Sequence, residues 1–311
     1  MNSSSTSLEA AAKVAARNRR IGVLLMLAGA ILFSCKAIVI KLAYQFEIAS
    51  ISLLGLRMAF SLPLFLLIGY FRRERSSTNG PLSLGDATVI LLLGVFGYYA
   101  ASYTDFLGLQ YLSAGMERLI LFVYPTMVLV LQRIIFKVPI KPIQWLATVL
   151  CYVGIILAFS ASDFSIGNQF GLGAALVFLS AFLYSFYVIG SGRLAPRLGT
   201  VRFTSLALIG ASVAVLLHVY LTGNTLFGYP TQLYYYGITL AIFCTVIPSY
   251  LVTEGVRRIG ANDAAILGAI GPVATIVLEY FILDESLNLT QGAGAALVIL
   301  GVIIIGRSKG R

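Results

Sequence analysis

The chain has 311 residues, 59% of them hydrophobic and only 11% charged, whereas an ordinary soluble domain carries about 25% charged residues. Mean hydropathy is +0.93, which excludes intrinsic disorder, a soluble nucleic-acid-binding domain and a secreted disulfide scaffold. The net charge of +10 would point to nucleic acid in a soluble protein, but here the basic residues sit in short segments between apolar runs. Three isolated cysteines (Cys35, Cys151, Cys244), each within an apolar stretch, form no metal or redox motif and read as buried spectators.

A membrane-crossing helix takes about 20 apolar residues, so the chain has room for about ten. Apolar runs bounded by polar or turn residues lie at 21–43, 48–71, 87–109, 113–135, 143–160, 170–190, 203–222, 233–255, 262–283 and 290–306. They are continuous rather than alternating, which predicts helices and not the wall of a barrel. The basic start followed by an apolar run resembles a signal peptide. That run is too long for the apolar core of one, however, and no small-residue cleavage site follows. It is read as the first span.

The distribution of basic residues tests this count. With an internal N-terminus, 18 of the 22 Lys and Arg fall in segments on the inner side, beginning with Lys13, Arg17, Arg19 and Arg20 and ending with Arg307, Lys309 and Arg311. The other four (Lys36, Lys41, Arg57, Arg118) fall within spans, and the outer loops hold Glu47, Asp163, Asp284 and Glu285 instead. Adding or dropping a span would scramble this separation.

An internal repeat is visible at a shift of 147 residues, without a gap. It aligns Tyr103 with Tyr250, Gly108 with Gly255, Ala114 with Ala261, Pro125 with Pro272, Gln144 with Gln291 and Gly154 with Gly301. Each half has five spans, an odd number, so the second half enters the membrane from the opposite side. Inverted repeats of this kind place a transporter's substrate site at the interface between halves.

The end of the second repeat carries the most specific pattern: Gly271-Pro272, an apolar run from Val273 to Leu283, Asp284-Glu285, then Gly292-Ala293-Gly294-Ala295 and Gly301. A proline followed thirteen residues later by a glutamate, before the last span, resembles the ten-helix EamA-type branch of the drug/metabolite transporter superfamily. The resemblance covers the chain after its basic tail and implies export of small metabolites. The exporters of amino acids, such as those of the YddG type that carry aromatic ones, are the nearest analogues. The first repeat departs from the pattern: Val138 stands where the glutamate is expected, and Glu117-Arg118 replaces small polar residues.

No enzyme motif stands beside this. There is no GxxxxGK[ST] phosphate loop and no HExxH, and the single histidine, His218, has no metal-ligand partner nearby in sequence. It reads as an interfacial residue near the outer end of span 7. Asp105, the acidic residue in the outer part of span 3, has no evident partner in the sequence, so intramembrane proteolysis finds no catalytic pair.

Two polar stripes and a set of charges are the candidate site residues. Tyr99, Tyr103, Phe106 and Gln110 in span 3, and Ser180, Tyr184, Tyr187 and Ser191 in span 6, follow i, i+4, i+7, i+11 spacing on one helical face. Such tyrosines either line a cavity, offering ring faces and hydroxyls to a substrate, or anchor the helix at the interface. A charge near the bilayer centre costs at least about 2.5–3.5 kcal/mol, so it faces a cavity or a partner. Lys36 lies roughly 22 Å into span 1 at about 1.5 Å per residue. Arg57, Glu117, Arg118 and Glu279 occupy the outer halves of their spans, while Lys41 is close enough to the surface to snorkel. The expected binding set is Lys36, Tyr99, Tyr103, Glu117, Arg118, Tyr184 and Tyr187, with a structural ion pair as the competing role for the charges. Pro125, Pro248 and Pro272 are expected to interrupt spans 4, 8 and 9, the matched pair Pro125 and Pro272 as hinges.

The reading is therefore an all-α membrane protein of ten transmembrane helices, built as two inverted five-helix repeats around a central cavity. Residues 1–20 form a basic cytoplasmic tail, 21–160 the first EamA-like repeat and 161–311 the second. It is expected in a bacterial inner membrane with both termini cytoplasmic, exporting an amino acid or similar metabolite by alternating access. Its partners are that small molecule and the lipid bilayer, not nucleic acid; no cofactor or metal is expected, and a monomer suffices. The alternatives are efflux of cationic drugs and a non-transporting receptor or scaffold. The first would favour a net acidic cavity, and the second a soluble domain that the longest inter-span segment, about 72–86, is too short to supply.

Overall fold

The computed structural model describes residues 2–71, 82–160, 169–283 and 289–307, with side chains described from Lys13 onward except at 158–159 and 279–283. The chain forms ten helical stretches: α1 Asn2–Tyr44, α2 Ser50–Phe71, α3 Leu84–Tyr111, α4 Ala114–Phe136, α5 Pro142–Phe159, α6 Phe170–Leu198, α7 Thr200–Leu221, α8 Thr231–Ile259, α9 from Ala261 and α10 Leu289–Arg307. No strand occurs among the described residues. Nine of these are long and apolar enough to cross a bilayer, and Pro142–Leu157 is a shorter apolar helix. The protein is an all-α, multi-pass membrane protein. The Glu279 side chain and the loop charges Arg72, Arg73, Arg75, Asp163, Asp284, Glu285, Lys309 and Arg311 lie outside what is described.

The most extensive contacts join one half of the chain to the other: α5 with α10, α1 with α8, α2 with α7 and α3 with α6. Under the 147-residue shift α1 corresponds to α6 and α3 to α8, so the α1–α8 and α3–α6 contacts are copies of one packing arrangement. The α5–α10 contact is its own counterpart, and small residues make it possible. A Cβ on Gly154 would sit 2.6 Å from the Gly294 carbonyl, and one on Gly301 would sit 2.9 Å from the Ala147 carbonyl. These two contacts are related by the same shift. Close approach of backbones through small residues is how membrane helices associate where lipid removes the hydrophobic incentive.

The interruptions are also paired. Helix α4 breaks between Ala114–Leu121 and Tyr124–Phe136, and α9 breaks between Ala261–Leu267 and Ile270–Leu283. Pro125 follows the first break, where its missing N–H costs no helical hydrogen bond, and Pro272 follows the second. Helix α8 differs from expectation at Pro248: the helix continues, and the irregularity is a π-helical turn just before it, Ile242–Val246. A matching turn at Val95–Ala100 in α3 has no proline at all, so periodicity and proline content gave no sign of it. π-Turns free a carbonyl and shift the faces that follow; in α8 the Thr245 hydroxyl donates to the Leu240 carbonyl at 2.8 Å.

One end of the bundle gathers the basic helix ends. Arg19 pairs with Asp263 at 2.9 Å and donates to the Ile305 carbonyl at 2.7 Å, while Gln144 donates to Asp263 at 2.7 Å and Gln132 to Asn262 at 3.0 Å. Glu254 accepts from Arg257 and Arg258 and from Thr200, and Arg197 pairs with Asp86. These contacts tie the starts of α5 and α9 and the ends of α4 and α10 to the basic stretch of α1, and they join the start of α3 to the end of α6 and the start of α7 to the end of α8. Alternate helices therefore run in opposite directions.

Candidate functional site

A cavity of about 110 Å³ lies between α1, α2, α3, α4, α6, α8 and α9. The α9 break reaches its wall through Gly268, Gly271 and Pro272, and the α4 break through Leu121, Phe122 and Tyr124. Helix α1 is locked to the α9 break by Ser34, whose hydroxyl lies 3.1 Å from the Gly271 carbonyl. Tyr124 crosses from α4 to donate to the Ala265 carbonyl at 3.0 Å. Alanine at Gly268 would force a shift, since a Cβ there would stand 1.8 Å from the Tyr124 hydroxyl.

Five ionisable side chains converge at this cavity. Lys36 Nζ is 2.6 Å from Asp105 Oδ2 and 3.8 Å from Glu117 Oε1, and Arg118 Nε is 3.2 Å from Glu117 Oε2. Arg118 also donates to the Phe33 carbonyl at 2.8 Å. Arg57, 1% exposed, lies with its guanidinium 5.0 Å from the Phe106 ring centre and 5.9 Å from that of Tyr98. All five belong to the first repeat. Their counterparts at the 147-residue shift are Leu183, Thr204, Val252, Ala264 and Ala265, so the charge is confined to one half of a pseudo-symmetric bundle. The cluster carries three cations against two carboxylates.

The expected site residues divide. Lys36, Arg118 and Tyr184 line the cavity, and so does the hinge residue Pro272. Glu117 is fully buried behind the wall, between Lys36 and Arg118. Pro125 is buried at the second residue after the α4 break. Tyr187 stacks on Tyr184 with ring centres 6.0 Å apart and turns its hydroxyl to Thr253 at 3.4 Å. Tyr99 and Tyr103 instead surround His218 on α7. The Tyr99 hydroxyl is 2.8 Å from His218 Nδ1, and the Tyr103 ring centre is 4.8 Å from that of His218.

Among the cavity residues that sequence reasoning missed, three stand out. Asp105 does have a partner, Lys36, brought from 69 positions away. Arg57 was noticed as a charge but not given a role. Tyr98 sits one position from the tyrosine stripe, yet the face of α3 that meets the cavity is Tyr98, Ala101, Ser102 and Asp105. That face has helical i, i+3, i+4, i+7 spacing and runs beside the stripe. The signal that could have found it was the pairing of an in-span acid with a tyrosine seven residues before it. Among the described residues no group of three or more His, Cys, Asp or Glu could hold a metal ion.

Comparisons with known proteins agree with this architecture. The sequence profile of the EamA-like transporter family matches residues 20–160 and again 171–307. The uncharacterized transporter YcbK of Bacillus subtilis (strain 168) is 31% identical over 292 residues, covering 91% of this chain and 93% of its own. The uncharacterized transporter sll1319 of Synechocystis sp. is 24% identical over 312 residues, covering 93% and 94%. A protein of known crystal structure superposes with a TM-score of 0.72 over 91% of this chain and 95% of its own, at 16% identity, which is a likeness of fold.

Proposed function

The chain belongs to the EamA-like transporter family, and from that premise we propose that it exports a small zwitterionic metabolite, an amino acid, across a bacterial inner membrane by alternating access. The observation that carries the reading is the mixed-charge cavity at the interface of the two halves, walled by both helix breaks. Discontinuous helices at a repeat interface are where secondary transporters place their substrates. Tyr184 and Tyr124 supply ring surface for a side chain, and Lys36, Arg57, Asp105 and Arg118 offer partners for charges of both signs. The surplus of cations in the cluster disfavours a cationic drug, which would add to it. The basic end of the bundle supports a cytoplasmic location for both termini, and the cavity lies within a single chain, so one protomer suffices.

On this reading the Arg19–Asp263, Gln144–Asp263 and Gln132–Asn262 contacts close the cytoplasmic end. Pro125 and Pro272 mark the bends about which the halves of α4 and α9 swing when it opens. Counterflow in proteoliposomes, with a panel of labelled amino acids, sugars and cationic dyes, tests the substrate class. Exchange of amino acids is the expected result. Exchange of dyes or sugars alone would overturn it.

A further inference from the structure

The ion pairs of the cavity leave one member over. Lys36 is held by Asp105, and Glu117 lies between Lys36 and Arg118, whereas among the described residues Arg57 faces no carboxylate within salt-bridge distance. Its Nε and Nη2 are buried and have no hydrogen-bond partner among the described residues, although the side chain borders the cavity. A guanidinium cannot shed its proton to escape this situation. A buried, unmatched charge inside the bilayer is costly and marks function by default.

The geometry also selects the approach. Phe106 and Tyr98 stand over the guanidinium at 5.0 and 5.9 Å. Aromatic faces soften the cost of the charge but accept no hydrogen bond of the strength a guanidinium makes with oxygen. What remains unsatisfied is the edge that carries Nε and Nη2, two parallel donors at the spacing of the two oxygens of a carboxylate. We infer that Arg57 is a carboxylate-binding residue: the transported molecule docks its carboxylate on the guanidinium of Arg57 at the cavity wall, and a free carboxylate defines the substrate class. This deepens the proposed function and rests on the cavity being the transport site. Lys36 is less free to take the carboxylate, because its ammonium is already engaged by Asp105.

An inorganic anion such as phosphate or chloride would answer the same charge, so the test has arms for both. Purified wild-type protein in detergent is heated with amino acids, with the corresponding amino-acid amides and methyl esters, with simple carboxylates such as lactate, and with phosphate or chloride. Unfolding is followed by loss of the monodisperse peak on size exclusion. Stabilisation by free carboxylates, at least tenfold weaker by concentration for amides and esters, is the expected result. Equal stabilisation by acids and amides, or by inorganic anions alone, overturns the inference, and this comparison needs no variant. Arg57→Gln should lose the discrimination, and Arg57→Lys, which keeps the charge but not the fork, should weaken carboxylates at least tenfold. A folded Arg57→Gln protein that still prefers acids to amides would also overturn it. Carboxylate binding that depends on Arg57 without any amino-acid counterflow would sink the amino-acid reading and leave the Arg57 site standing. Counterflow of amino acids and their amides at equal rates would do the reverse.

Discussion

Lys36→Met is the sharpest perturbation of the charge cluster. The substitution keeps the length of the stem and removes the ammonium that touches Asp105 at 2.6 Å and faces Glu117 at 3.8 Å. Asp105 is 1% exposed and Glu117 is fully buried, so neither carboxylate can turn to water when the ammonium is lost. Removing one partner of a buried ion pair costs about 3–5 kcal/mol, because the other charge stays behind, whereas replacing both members is often neutral. Against a net stability of about 5–15 kcal/mol for a folded domain, the single variant folds with a lower unfolding temperature. Lys36→Met with Asp105→Asn should recover most of that loss. Thermal unfolding in detergent for wild type, both single variants and the double variant closes the cycle, and counterflow per folded protein is read beside it. Transport is expected to fall at least tenfold in Lys36→Met, about 1.4 kcal/mol in the barrier. If Lys36→Met is as stable as wild type and the double variant gains nothing over Asp105→Asn, the 2.6 Å pair does not hold the cluster together and the reasoning fails.

Gly268→Ala should destabilise by about 1–3 kcal/mol, the usual cost of overpacking, and Tyr124→Phe should partly rescue it by removing the hydroxyl the new methyl meets; an unfolding temperature unchanged in Gly268→Ala would count against the α4–α9 contact. Tyr184→Ala, which opens the cavity wall, should lower counterflow at least tenfold per folded protein. Tyr99→Phe loses only the hydroxyl bonded to His218, so transport within twofold of wild type is expected, and a tenfold loss would return Tyr99 to the substrate's path. Cysteine at Thr225, in the segment between α7 and α8, should react with an impermeant thiol reagent added outside intact cells, and cysteine at Val138, between α4 and α5, should not. Labelling of Val138→Cys from outside would reverse the orientation.

Much of the architecture was legible in the sequence because a bilayer imposes one-dimensional rules. Helices must run apolar for about 20 residues, and inner segments collect Arg and Lys. A gene-level repeat leaves glycines and prolines at one offset, here including Gly154 with Gly301 and Pro125 with Pro272. The charges in spans were equally readable as exceptions: Lys36, Arg57, Glu117 and Arg118 stood out by their cost alone. Which of them meet was decided only in three dimensions. Lys36 and Asp105 are 69 residues apart in the chain, and no periodicity links positions on different helices. The same limit explains the tyrosines. Spacing showed that Tyr99 and Tyr103 share a face of α3, but both faces of a helix in lipid can be apolar or aromatic, so spacing could not say which one turns inward. The answer, Tyr98 and Asp105, came from the packing of α3 on α6, where a Cβ on Gly97 would stand 2.9 Å from the Cβ of Tyr187. That close approach fixes the rotation of α3 about its axis. It leaves Tyr99 and Tyr103 to His218, and the cavity to Tyr98, Asp105 and Arg57.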